Sequence, residues 1–242
     1  MCRVTSIIGL RAGLIDMCGR FALNENPLKF AEYFCISGNP EFSASWNIAP
    51  SSRICTITGD KEGRRHLHKM KWGLIPSWAK DAAIGNKLAN ARGETVAEKP
   101  SFRSAFKSRR CLIPASGFYE WETEKGVKQP WYIRLKSGVP MAFAGLWETW
   151  HPKEGETIES CCIITTDANK LMEPIHDRMP VILDPDQWAT WLSPQEHQAD
   201  KLLPLIRPHD PESMQAWAVT RELNRVGVRD DAGLIMPLPV QT

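Results

Sequence analysis

Residues 111–146 read CLIPASGFYEWETEKGVKQPWYIRLKSGVPMAFAGL. Cys111–Pro114 and Phe118–Glu122 are short runs of strand-forming residues around the break Ala115-Ser116-Gly117. Glu124–Lys128 contains Gly126 and reads as a hairpin turn. Trp131–Leu135 and Met141–Leu146 continue an antiparallel series across the turn Lys136-Ser137-Gly138. Upstream, Arg53–Thr58 and His66–Trp72 form a second expected hairpin about Asp60–Gly63, with Trp46–Pro50 read as the loop that enters it. Ser160–Thr166 and Val181–Leu183 are further strands, and Ala216–Thr220 precedes a polar loop, Arg221–Gly233.

Short helices punctuate this series. Asn26 is a suitable N-cap and Pro27 suits the first helical position, and Phe30, Ala31 and Phe34 supply an apolar face. Ser101–Lys107, Asp167–Met172 and Pro185–Leu192 also read as helices. No internal repeat, low-complexity tract or linker divides the chain. The expected fold class is α+β: a single domain with a curved, mostly antiparallel, barrel-like sheet flanked by short helices.

Composition narrows the function classes. The chain has 242 residues, 43% of them apolar, and a net charge of only +2, so any nucleic-acid signal must be local. Its seven cysteines are Cys2, Cys18, Cys35, Cys55, Cys111, Cys161 and Cys162; the number is odd and no CxxC occurs, so free thiols in a reducing cytoplasm are expected. No metal site and no cofactor is expected; His66, His68 and Cys55 follow from strand alternation in a basic hairpin. No apolar run of about 18 residues suggests a membrane span. Ser6–Ile15 is interrupted by Arg11 and lacks a cleavage pattern, so no signal peptide is expected.

Four residues could form a thiol-based site: Cys18, Asn90, Glu120 and His176. Each has a plainer reading. Cys18 alone reads as a small buried hydrophobe. Glu120 lies in Phe118-Tyr119-Glu120-Trp121, where alternation puts it either in a hydrophobic layer or, with Glu122, on the solvent face. His176 with Asp177 and Arg178 reads equally as a surface charge cluster, and Asn90 as a turn residue.

The words around them carry more. Met17-Cys18-Gly19-Arg20-Phe21, Trp46-Asn47-Ile48-Ala49-Pro50, Trp72-Gly73-Leu74-Ile75-Pro76, Asn90-Ala91-Arg92-Gly93-Glu94-Thr95, Gly117-Phe118-Tyr119-Glu120-Trp121 and Ile175-His176-Asp177-Arg178-Met179-Pro180, in this order, resemble the SRAP (SOS response-associated peptidase) family. The resemblance runs from Met17 to about Pro239. It implies an abasic-site sensor and repair protein that binds single-stranded DNA. The N-terminal cysteine would capture the ring-opened sugar aldehyde as a thiazolidine DNA–protein crosslink. Carried over to this chain, Cys18 is the nucleophile and Asn90, Glu120 and His176 the supporting residues, with self-processing peptidase activity also implied.

The chemistry suits those residue types. Roughly 15% of an ordinary α-amine is neutral at pH 7, against about 0.04% of a lysine. Glu120 in an apolar setting would hold a raised pKa and shuttle protons. His176 suits protonation of the sugar ring oxygen. Asn90 can orient groups without changing charge. The resemblance further places DNA contacts at Arg20, Asn47, Pro50, Trp72, Trp78, Arg92, Ser101, Phe102, Arg103 and Arg178, with arginines on phosphates and tryptophans stacking on bases. Lys99, Arg103, Lys107, Arg109 and Arg110 form a basic run that reads as a solvated helix face or as a phosphate contact.

The expected partner is single-stranded DNA containing abasic sites, bound by a monomer in the cytoplasm, at the nucleoid after damage. In the family pattern the methionine before Cys-Gly-Arg is the initiator, whereas here residues 1–16 precede Met17. The expectation is a single domain over 17–242 and an N-terminal extension, 1–16, that is a start-site artefact or is removed. Two other readings stay open: a cysteine peptidase using Cys18 with His176 and Glu120 or Asn90, and a non-covalent single-strand binding module.

Overall fold

The computed structural model describes residues 19–37, 40–225 and 227–239. Met17 and Cys18, and the expected extension 1–16, lie outside the described residues. Twelve strands among the described residues form two sheets.

The first sheet holds five strands. β1 (Arg20–Leu23) lies between the edge strand β2 (Ser45–Ile48) and the central strand β7 (Gly117–Glu124), beyond which come β8 (Val127–Leu135) and β12 (Met214–Ala218). The second is the expected barrel. β3 (Arg53–Gly59) pairs with β4 (Arg65–Trp72) and β6 (Arg110–Ala115); β6 pairs with β9 (Met141–Trp150); and β10 (Ile158–Asp167) pairs with both β9 and β4, so five strands close on themselves. Only the β10 contacts with β4 and with β5 (Asn90–Arg92) are parallel. β11 (Arg178–Pro180) adds antiparallel to the end of β10.

Helix α1 (Pro27–Phe34) starts where sequence reading places it. The Asn26 side chain accepts hydrogen bonds from the Leu28 and Lys29 amides, and Phe30 and Phe34 are fully buried. α2 (Arg103–Ser108) and α3 (Trp188–Leu192) pack against β6, with Trp191 donating its indole N–H to the Cys111 carbonyl. The main core fills the space within and between the sheets. A second, smaller cluster around Tyr119, Tyr132 and Leu223 lies on the other face of the first sheet, covered by the C-terminal residues.

Several expectations need correction. β8 and β9 do not continue one antiparallel series: the chain leaves the first sheet after Leu135 and enters the barrel at Met141. β6 and β7 likewise belong to different sheets, with the switch at Ser116. Residues Ser45–Ile48, read as loop, are an edge strand, because Phe21 and Leu23 of β1 offer them a ladder from far away in sequence. Asn90–Arg92, also read as loop, is a strand for the same reason, paired to β10. Residues 168–175 form turns rather than a helix; the Asn169 side chain accepts from the Leu171 and Met172 amides, and such local bonds compete with helix formation.

Candidate functional site

The start of β1 is the focus. Gly19 is buried, and Arg20 stands opposite Tyr119 of β7, next to Glu120. Alternation along β7 turns Tyr119 and Trp121 to the smaller cluster and Phe118 and Glu120 to the opposite face. Glu120 is 3% exposed, so the buried reading holds and the solvent-face reading does not. Its cross-strand partner is Trp131, whose indole N–H bonds the Glu122 carboxylate at 2.9 Å.

Asn90 opens β5, half-buried and opposite Ile163 of β10. The residue before it is pinned twice. The Ala89 carbonyl accepts the Trp72 indole N–H at 2.9 Å and the Ile163 amide at 3.0 Å. The Trp72 ring meets Phe21 of β1 edge-on, centroids 5.2 Å apart. One buried tryptophan thus ties the start of β1 to the strand that carries Asn90.

His176 lies in the turn before β11. Its Nδ1 is 3.1 Å from the Arg178 amide and 3.1 Å from an Asp177 carboxylate oxygen. The backbone N–H is a fixed donor, while the Asp177 side chain is 88% exposed and can turn away. The amide therefore takes the Nδ1 lone pair, which leaves the proton of the neutral ring on Nε2. Arg178 itself is 8% exposed. Its guanidinium holds Glu94 just after β5, Asp167 at the end of β10, and the Thr165 carbonyl. Bonding to Arg178 draws the Glu94 carboxyl below its usual range. This clamp joins the segments carrying Asn90 and His176, which flank opposite edges of β10.

Of the ten residues expected at DNA, Arg20, Asn47, Pro50, Trp78, Arg92, Ser101 and Arg103 keep exposed or half-exposed positions. Arg20 donates to the Asn47 Oδ1 at 2.7 Å; the partner is a neutral amide, so the cation is not neutralised there. Burial is the larger influence on Arg20 and lowers its pKa. Trp78 is 58% exposed, with its indole N–H reaching the Pro100 carbonyl at 3.4 Å, beside Ser101 and Arg103. The other three are buried or paired. Trp72, at 1% exposure, and Phe102, at 4%, are core side chains with no open ring face for a base. Arg178 is engaged by two carboxylates and offers no free charge to a phosphate. In the basic run, Arg110 is buried and donates to the carbonyls of Trp191, Phe106, Ser193 and Glu196, and Arg109 pairs with Glu148.

Sequence reading missed the Arg178–Glu94–Asp167 clamp and the seating of β2 by Asp230. The Asp230 carboxylate accepts from the Trp46 amide and the Ser45 hydroxyl, and the Trp46 carbonyl accepts the Tyr119 hydroxyl at 2.7 Å. Nothing local marks either one: Glu94 and Asp167 lie 84 and 11 residues from Arg178, and Asp230 lies 184 from Trp46. Burial pushes the Cys55 thiol up to about 11 and Cys162 up to about 12, and raises Cys111 and Cys161 strongly, so these four are poor nucleophiles. No metal-binding cluster exists among the described residues, and none of their helices is long and apolar enough to cross a membrane.

The fold is that of a barrel-based α+β protein, with half-buried Arg20 opening its first strand opposite Tyr119 and the buried Glu120 next along β7. The chain belongs to the SRAP family: the family described as SOS response associated peptidase matches residues 17–226. The abasic site processing protein YoqW of Bacillus subtilis (strain 168) is 47% identical over 212 residues, which cover 86% of this chain and 94% of that protein. The abasic site processing protein HMCES of Xenopus tropicalis is 35% identical over 198 residues, 69% of this chain and 59% of that protein. A crystal structure of a protein from Bacteroides thetaiotaomicron superposes with a TM-score of 0.81 at 27% identity, covering 92% of this chain and all of that one.

Proposed function

We propose that this protein senses abasic sites in single-stranded DNA and crosslinks to them through Cys18, once initiation at Met17 and its loss, or removal of residues 1–17, gives Cys18 a free α-amine. The observation that carries this reading is the β1–β7 register, in which β1 begins at Arg20 opposite Tyr119, the neighbour of the buried Glu120. Relatives named for abasic site processing support it.

The residues divide the work. His176, with its proton on Nε2, protonates the sugar ring oxygen while the anomeric hydroxyl gives its proton to water, and the bond between C1 and the ring oxygen breaks to leave the aldehyde. The amine adds to the aldehyde carbon and water leaves, giving an imine. The thiol sulfur then adds to the imine carbon while its proton passes to the nitrogen, closing the five-membered ring. Glu120 carries protons between amine, hydroxyl and water, and Asn90 orients the terminal residue. Arg20 and Arg92 meet the phosphates that flank the lesion, and Trp78 offers a face to an adjacent base.

The test begins with the intact mass of protein made from its native gene. A mass starting at Cys18, and a heat-stable adduct with an abasic single strand formed without borohydride, are the expected results. Cys18→Ala and acylation of the α-amine should each abolish the adduct. An adduct that survives Cys18→Ala would sink the assignment. Repeated turnover of a peptide without any adduct would favour the cysteine peptidase reading instead.

A further inference from the structure

The hairpin β3–β4 carries a cationic face that the site above does not use. Arg53 stands directly opposite Lys71, and Lys69 follows two positions away on the same side of β4. Arg53 and Lys69 are exposed and Lys71 is half-exposed. A fourth cation, Lys87, lies exposed in the 3-10 turn Ala82–Lys87, which is held against the end of β4. That approach is close: a Cβ on Gly73 would lie 2.5 Å from the Gly85 carbonyl oxygen. None of the four cations has a carboxylate within ion-pair distance among the described residues.

Like charges placed directly across strands destabilise a sheet, so this face repels itself until an anion covers it. It is also continuous with the candidate site. β2 ends at Ile48, opposite Phe21, and its Asn47 holds Arg20. The loop that follows is bonded to the end of β4: the Ser51 amide donates to the Trp72 carbonyl at 2.7 Å, and the Trp72 amide to the Ser52 carbonyl at 2.8 Å. Arg53 comes next. Arg20, the Asn47–Pro50 segment, the Arg53–Lys71 pair and Lys69 are therefore linked in succession by these bonds.

We infer that this face holds the phosphodiester backbone of the DNA strand as it leaves the site, with Arg53, Lys69 and Lys71 each contacting a phosphate and Lys87 bordering the path. The inference rests on the reading of the site as a DNA site. The spacing suits it: Lys69 and Lys71 are about 7 Å apart along the strand, comparable to successive phosphates of an extended single strand.

The experiment compares wild type with the triple variant Arg53→Gln, Lys69→Gln, Lys71→Gln on an intact strand of about 16 nucleotides and an abasic one of about 4. Affinity for the longer strand should fall. Its dependence on salt should flatten by about 2 in log–log slope, since each phosphate contact on a single strand contributes about 0.7. The rate of adduct formation on the short strand should not change. The charge-preserving variant Arg53→Lys, Lys69→Arg, Lys71→Arg should keep the wild-type slope, which separates lost charge from a disturbed hairpin. An unaltered slope in the Gln variant would overturn the inference and leave an ordinary solvated face. Should wild type give no adduct while the slope still flattens, the crosslinking chemistry falls and the strand path stands.

Discussion

Trp72 shows how much a single residue's meaning depends on burial. In sequence it resembles a stacking residue, but in the fold it joins Phe21 to Ala89, the residue before Asn90. Trp72→Phe keeps a ring and removes one buried donor, so it should cost about 1–3 kcal/mol in stability. The expected functional signature is a slower adduct at unchanged DNA affinity, measured by single-turnover gel assay and by binding to intact strands. A loss of affinity instead would restore the stacking role. Glu94 carries a pH dependence. Its folded-state pKa is lowered, with Arg178 as the largest cause, so its contribution is present above the ordinary carboxylate range. That contribution is lost as pH falls through the lowered value. Melting curves in acid should show wild type losing stability there more steeply than Glu94→Gln; parallel curves would mean that the pair contributes nothing.

At the level of elements, the junction of β4 with the turn Ala82–Lys87 is tightly built from backbone against backbone. Gly73 has a φ of +135°, and an added Cβ would collide with backbone rather than with a flexible side chain. Gly73→Ala should therefore destabilise by several kcal/mol, on the order of 2–4, from strain and overpacking together. Chemical denaturation checks this, and a loss below about 0.5 kcal/mol would show that the turn simply moves away. The helix caps act more gently. Asn26→Ala removes the acceptor for two amides of α1 and should cost about 1 kcal/mol. The β3–β4 hairpin, the Asn26 cap and the turn at Lys125-Gly126 were legible because turn and cap chemistry is written within a few residues. β2 and β5 were not, because a strand of three or four residues exists only through its distant partner.

Across the whole molecule, two sheets meet at Phe21 and Trp72, and the C-terminal residues cover the outer face of the first sheet. Asp230 links that covering segment to β2, and β2 carries Asn47. Asp230→Ala should free the segment before the barrel unfolds. Limited trypsin digestion should then cut at Arg225 or Arg229 at temperatures where wild type stays intact, and equal resistance would show that the apolar contacts of Leu223 and Leu234 suffice.

The sequence by itself determined the α+β class and the β3–β4 and β7–β8 hairpins, and it nominated the set Cys18, Asn90, Glu120 and His176, because residue types, turn signals and the family's words are local properties. Tertiary structure alone decided which of the basic and aromatic residues are available. It buried Arg110, Phe102 and Trp72, closed Arg178 between two carboxylates, and left Arg20, Trp78 and the Arg53–Lys71 face open. The reason is physical: solvent exposure and charge compensation depend on neighbours dozens of residues away, and no window of sequence contains them.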